Sequence, residues 1–207
     1  MSHFLTYVFT IPNGANIEEL LAKYDENLEY PKYLSKTKAQ VIEESKKSLN
    51  QWLESKYYKD FIENPQKLKT ESPSQAEFLE SIPNILESNE KIYKFGIEDI
   101  PEDCIDSQGN VYSTYNPYSK WDWYKQGGRW RDNPYEGKTV KELLKEKEII
   151  TPFAFVTPSG EWHEKGEMGF WACVTNPKKP QDWENEFLET LKKLDGTTIC
   201  NVVDCHI

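Results

Sequence analysis

The stretch from Pro152 to Ile207 constrains the fold most. Pro152-Phe153-Ala154-Phe155-Val156-Thr157 is apolar with a β-branched residue at Val156, and Pro158-Ser159-Gly160-Glu161 is turn chemistry. Met168-Gly169-Phe170-Trp171-Ala172-Cys173-Val174 reads as a second strand. From Gln181 to Leu194, Trp183, Phe187, Leu188, Leu191 and Leu194 fall at offsets 0, 4, 5, 8 and 11, which is one face of a helix. Gly196 stands where a C′ glycine ends such a helix. Thr198 to Ile207 is then a closing strand.

The N-terminal end supplies the matching half. His3 to Thr10 predicts a buried strand with a turn at Pro12-Asn13-Gly14. Asn16 with Glu19 three residues on is a capping box, so a short helix runs to about Tyr24. Removing the middle leaves strand, helix, strand, strand, helix, strand, an α+β chain with the βαββαβ order of a ferredoxin-like fold. In that fold the first and last strands lie side by side and antiparallel. The 207 residues then form a single domain, with a core of about 1–24 and 151–207 and a large, mainly helical insertion of about 25–150. Within the insertion, Ser35 to Lys56 predicts a helix. Residues 64–76 read as a loop, and Ala76 to Leu86 as a helix broken by Pro83. Lys91 to Phe95 and Val111 to Tyr115 read as strands of a hairpin around the turn Asp106–Asn110. Thr139 to Lys147 is a short charged helix.

Charge and cysteine content exclude several classes. With 25 Lys+Arg against 35 Asp+Glu the net charge is -10, which argues against duplex nucleic acid, because phosphate binding needs clustered cations. No run of about 18 apolar residues is present to span a membrane. Met1-Ser2-His3-Phe4 lacks the basic and apolar regions of a signal peptide, which leads us to expect a cytoplasmic protein. Cys104, Cys173, Cys200 and Cys205 contain no C-x-x-C pair. Cys200 and Cys205, five apart in one strand, face opposite sides, so free thiols in a reducing compartment are expected.

Three segments carry candidate chemistry. Tyr112 to Tyr135 is dense in aromatics and contains Trp121-Asp122-Trp123-Tyr124-Lys125-Gln126-Gly127-Gly128-Arg129-Trp130. Trp121, Trp123, Tyr124 and Trp130 offer faces on which a base would stack. The amides of Gly127 and Gly128 would form an anion nest, and Arg129 supplies a fork of donors for phosphate. The competing reading is that these rings cover a sheet and Arg129 pairs with Asp122 or stacks on an indole. The second segment, Glu161 to Gly169, sets Glu164, Lys165 and Glu167 beside glycines, where a buried carboxylate near a lysine acts as acid or base. A solvated hairpin connection is its plain alternative. The third is the chain end. If the first and last strands pair, His3, Asp204 and His206 become neighbours, able to bind a divalent ion or transfer protons, with satisfied polar residues at a sheet edge as the alternative. No motif identifies a cofactor, a phosphate loop or a nucleophile elbow.

The segments Met1-Ser2-His3-Phe4, Lys23–Leu28, Lys120–Tyr124 with Gly127–Trp130, Gly160–Trp162 with Glu164–Gly169, and Val203–Ile207 resemble a family encoded mainly by tailed bacteriophages and prophages. The resemblance spans both ends and the centre, although this chain has a shorter middle than the longer relatives. It carries no activity and no catalytic residues. What it implies is context: a phage accessory protein in bacterial cytoplasm, of a size common among proteins that counter host defence.

Three functions fit this reading. The first is capture of a small anionic or nucleotide-like signalling molecule by Trp121, Trp123, Tyr124, Gly127, Gly128, Arg129, Trp130 and Lys165. The second is a metal-assisted hydrolase of such a nucleotide using His3, Asp204, His206 and Glu167. The third is a protein-binding inhibitor of a host factor, with Tyr and Trp as anchors.

Overall fold

The computed structural model describes residues 2–168 and 173–207. The chain divides into two compact units, Met1–Tyr30 with Tyr115–Ile207, and Pro31–Thr114. The helical stretch thus closes on itself over a narrower range than the expected 25–150, and residues 115–150 belong with the sheet.

The first unit is built on a five-stranded mixed sheet. Its strands are β1 (His3–Thr10), β4 (Trp123–Gln126), β5 (Ala154–Val156), β6 (Trp162–Glu164) and β9 (Ile199–His206), in the order β4-β9-β1-β5-β6. β1 and β9 pair antiparallel over eight residues, from His3 opposite His206 to Thr10 opposite Ile199, as the sequence suggested. β5 lies directly beside β1 and parallel to it, and β6 returns antiparallel on the outside. The expected split βαββαβ order requires a strand between those parallel partners, so the sheet departs from it. Burial explains the difference. Ala154, Phe155 and Val156 are buried on both faces and suit an interior position, whereas Trp162, His163 and Glu164 are half-buried and suit an edge.

Alternation along β1 divides two cores. Leu5, Tyr7 and Phe9 face one, with Val202 and Cys200 of β9; Phe4 and Val8 face the other, with Val203 and Cys205. Helix α8 (Pro180–Lys193) covers the first face through Trp183, Phe187 and Leu191. The indole N–H of Trp183 donates to the Pro152 carbonyl at 2.8 Å. Helix α7 (Val140–Leu143) adds Val140 and Leu143. Helix α1 (Ile17–Ala22) covers the second face through Leu20 and Leu21, and Asn16 and Glu19 form the expected capping box. The C-cap of α8 is Leu194 in an extended conformation, and Gly196 does not take the positive φ of a C′ glycine. Cys200 and Cys205 are free and lie in opposite cores, where burial raises both thiols, Cys205 to about 12. β7 (Glu167–Met168) and β8 (Val174–Thr175) form a separate two-stranded pair. The expected strand over 168–174 falls largely on residues 169–172, outside the described residues.

The second unit contains α2 (Lys38–Glu54), α3 (Lys56–Glu63), α4 (Pro65–Glu71), α5 (Pro73–Ile85) and α6 (Asn89–Gly96), with the strands β2 (Tyr33–Lys36) and β3 (Val111–Ser113) paired antiparallel. Pro65 and Pro73, read as loop residues, open helices instead, at the position where a missing N–H costs nothing. Pro83 lies in the last turn of α5 without ending it earlier. Lys91–Phe95 is helical, not a strand. Ser88 caps it by accepting from the Lys91 N–H, Glu90 and Lys94 form an i,i+4 pair, and Gly96 lets it approach Val41 of α2. β3 therefore takes β2, not residues 91–95, as its partner.

Candidate functional site

Three strand ends meet at one end of the sheet. The register places His3 of β1 opposite His206 of β9, and His206 opposite Trp123 of β4, all on one face. His3 Nδ1 lies 2.9 Å from Asp204 Oδ1, and His206 Nδ1 lies 2.6 Å from Asp122 Oδ1. The two imidazoles stand edge to face at 5.0 Å, and Trp123 stacks on His206 at 5.2 Å and 15°. The expected convergence of His3, Asp204 and His206 is therefore formed, with Asp122 as a fourth member. Asp204 and His206 are sealed at 3% and 6% side-chain exposure, and His3 keeps 11%. His206 Nε2 is buried and has no hydrogen-bond partner among the described residues. No group of three or more His, Cys, Asp or Glu among the described residues is arranged to hold a metal ion; the carboxylates are spent on the Nδ1 atoms.

The paired glycines serve this cluster. Gly127 and Gly128 have φ of 68° and 50°, a region open to glycine at little cost. The Gly127 N–H donates to Val202 O at 2.8 Å, and the Arg129 N–H donates to Asp204 Oδ2 at 3.0 Å. The turn thus cradles an internal carboxylate where the sequence suggested a ligand phosphate. A Cβ on Gly128 would fall on the Asp204 side chain, 2.5 Å from Oδ2 and 2.9 Å from Cγ. The Arg129 side chain is exposed, and its guanidinium forms no ion pair among the described residues, with Asp122 or any other.

The remaining expected site residues scatter. Trp121 is buried in the opposite core and donates its indole N–H to Leu21 O at 3.2 Å; Tyr124 meets it edge-on at 5.0 Å. Alternation along β4 sets Trp123 and Tyr124 on opposite faces of the sheet, and Trp121, which precedes the strand, packs in the same core as Tyr124, so the rings do not form one stacking wall. Trp130 packs against the α8 core. Lys165 lies beside Phe153 and Trp183 around a separate hollow, and the exposed Glu167 accepts from Thr175 Oγ1 at 3.2 Å. Neither bonds to the histidine cluster.

A second site was not legible as such. A cavity of about 510 Å³ opens between Lys23, Tyr24, Tyr118, Lys120, Trp162 and Glu164. Buried Asn116 builds one wall: its amide donates to Lys23 O and Asp25 O, both at 2.8 Å, stitching the loop before Trp121 to the end of α1. Glu164 fixes the other wall, accepting from Lys120 Nζ at 2.5 Å through one oxygen and from the Trp162 indole N–H at 2.9 Å through the second. The Tyr24 hydroxyl donates to Gly160 O at 2.6 Å. Lys23 Nζ sits 4.6 Å from the Tyr118 ring centroid and forms no ion pair among the described residues. Lys23, Tyr24, Lys120, Trp162 and Glu164 lie in segments that carry the phage resemblance, and Tyr118 in the aromatic stretch Tyr112–Tyr135, but only Glu164 had an expected role, as an acid or base, and nothing in the sequence joined these segments around one opening.

Behind β6, His163 stacks on Phe155 at 4.5 Å and holds Glu186 of α8 at 3.0 Å, while Lys178 takes the second Glu186 oxygen at 2.7 Å. Burial pushes the Glu186 carboxyl up, but the bonds and charges of Lys178 and His163 outweigh it and hold the carboxyl below the usual glutamate range. A depressed carboxyl stabilises the fold above its unfolded pKa, and that contribution is lost as pH falls through the folded value. Melting temperature is therefore expected to fall more steeply below pH about 4.3 in the wild type than in Glu186→Gln. Parallel curves from pH 6 to 3 would show the pair to be without effect. Compared with models of protein families, with curated proteins and with solved structures, the chain gave no match to any of them.

Proposed function

We propose that the protein binds and holds a small nucleotide-like anion in the cavity between Lys23, Tyr24, Tyr118, Lys120, Trp162 and Glu164. The observation that carries this reading is the joining of three aromatic rings and two ammonium groups around one opening of ligand size. Among the described residues Lys23 Nζ meets the ring faces of Tyr24 and Tyr118 and no carboxylate, so it can take a phosphate oxygen. Trp162 is pinned by Glu164, so its indole is an ordered stacking surface that loses little entropy on binding. Glu161 and Ser159 at the rim are suited to sugar hydroxyls. The resemblance to a phage and prophage family gives the context: capture of a nucleotide signal in the bacterial cytoplasm, in the service of counter-defence.

The test is titration of the full chain with cyclic dinucleotides, ADP-ribose and mononucleotides, read by tryptophan fluorescence and calorimetry. Stacking contributes about 1–3 kcal/mol per base, so Trp162→Ala is expected to weaken binding about tenfold or more. Lys23→Ala is expected to do the same. Lys192→Ala, on α8 and outside the cavity lining, is expected to leave affinity within about twofold. Silence across the panel, or unchanged affinity in Trp162→Ala, removes this cavity as the binding site.

A further inference from the structure

We propose that His3 is a general base, set by Asp204, at a second site on the sheet end that hydrolyses small nucleotide phosphodiesters. The inference is independent of the cavity described above. Asp204 is held at both oxygens, by His3 Nδ1 and by the Arg129 N–H, and Gly128 leaves it the room. A buried carboxylate fixed in this way orients the imidazole and stabilises the imidazolium that forms when its other nitrogen takes a proton. With Nδ1 bound to Asp204, the basic lone pair of a neutral His3 is on Nε2. That atom has no partner among the described residues, and it is not among the sealed unpartnered atoms, in contrast to His206 Nε2. His206, tied to Asp122 and stacked under Trp123, backs the His3 ring.

The surroundings name the substrate class. Trp123 is 42% exposed and stacks on His206, leaving indole surface for a flat group. Arg129 and Lys125, both exposed and without a carboxylate partner among the described residues, supply positive charge for a phosphate. The net charge of -10 disfavours long or duplex nucleic acid, which leaves small phosphodiesters as the substrate class of this proposal. In the reaction, water gives a proton to His3 Nε2 as its oxygen bonds to phosphorus. The bond from phosphorus to the leaving oxygen breaks, and that oxygen keeps the electron pair and takes a proton from solvent. The imidazolium then returns its proton to water.

Full-length protein incubated with bis(4-nitrophenyl) phosphate tests this, since the departing nitrophenolate needs no proton. Release above the buffer rate is expected. His3→Ala is expected to lower kcat of the folded protein about 100-fold or more, and added free imidazole is expected to restore part of the loss. Asp204→Asn is expected to lower kcat with KM retained, as a positioning residue. A wild-type rate equal to buffer, or undiminished turnover in His3→Ala, overturns the proposal. Loss without imidazole rescue also overturns it, because His3 then serves only to tie the strand ends.

Discussion

Gly128→Ala is expected to lower the melting temperature of the sheet unit by roughly 5–15 °C. Two costs combine. A side chain at φ 50° costs about 1–2 kcal/mol, and the new methyl lands on Asp204, an overpacking cost of about 1–3 kcal/mol. The relief available is for Asp204 to swing away, and that breaks its bonds to His3 and to the Arg129 N–H. Gly137→Ala is the control. Gly137 also has positive φ, 74°, but nothing lies within 4 Å of its missing Cβ, so only the backbone cost applies. Equal losses in the two variants would show that the Asp204 cradle contributes nothing.

Phe187→Ala is expected to cost about 3–5 kcal/mol, read by denaturant unfolding. Phe187 is fully buried at the centre of the α8 contact, with ring centroids 6.0 Å from Tyr7, 6.4 Å from Phe9 and 5.3 Å from Phe155. Its neighbours come from two central strands, whose backbone pairing resists collapse into the space left behind. Leu188→Ala, one residue on and only half-buried, is expected to cost distinctly less. A loss under about 1 kcal/mol in Phe187→Ala would mean that α8 does not pack on this face.

These contrasts follow the elements the sequence made legible. β1, β5, β9 and α8 announce themselves because each buries a periodic apolar face, and α1 because Asn16 and Glu19 satisfy its first turn. β4 was hidden. Trp123-Tyr124-Lys125-Gln126 is an edge strand with mostly exposed residues, so its aromatics suggested a ligand wall. Alternation then placed Trp123 and Tyr124 on opposite faces, which no composition reveals. The convergence of His3, Asp204 and His206 was accessible because it needs only the pairing of the first and last strands. Asp122 was not, since its place follows from the register of β4. The cavity around Lys23 and Trp162 depends on Asn116 reaching carbonyls about ninety residues earlier, a tertiary bond with no local signal.

The pairing of β1 with β9 has a consequence for biosynthesis. His3 and Asp204 are 201 positions apart, so the first strand leaves the ribosome long before its antiparallel partner exists. Until then Leu5, Tyr7 and Phe9 expose an apolar ribbon with an open edge. The histidine pair at the strand ends comes into being only when translation reaches β9, and a nascent chain stalled short of Asp204 carries no such pair.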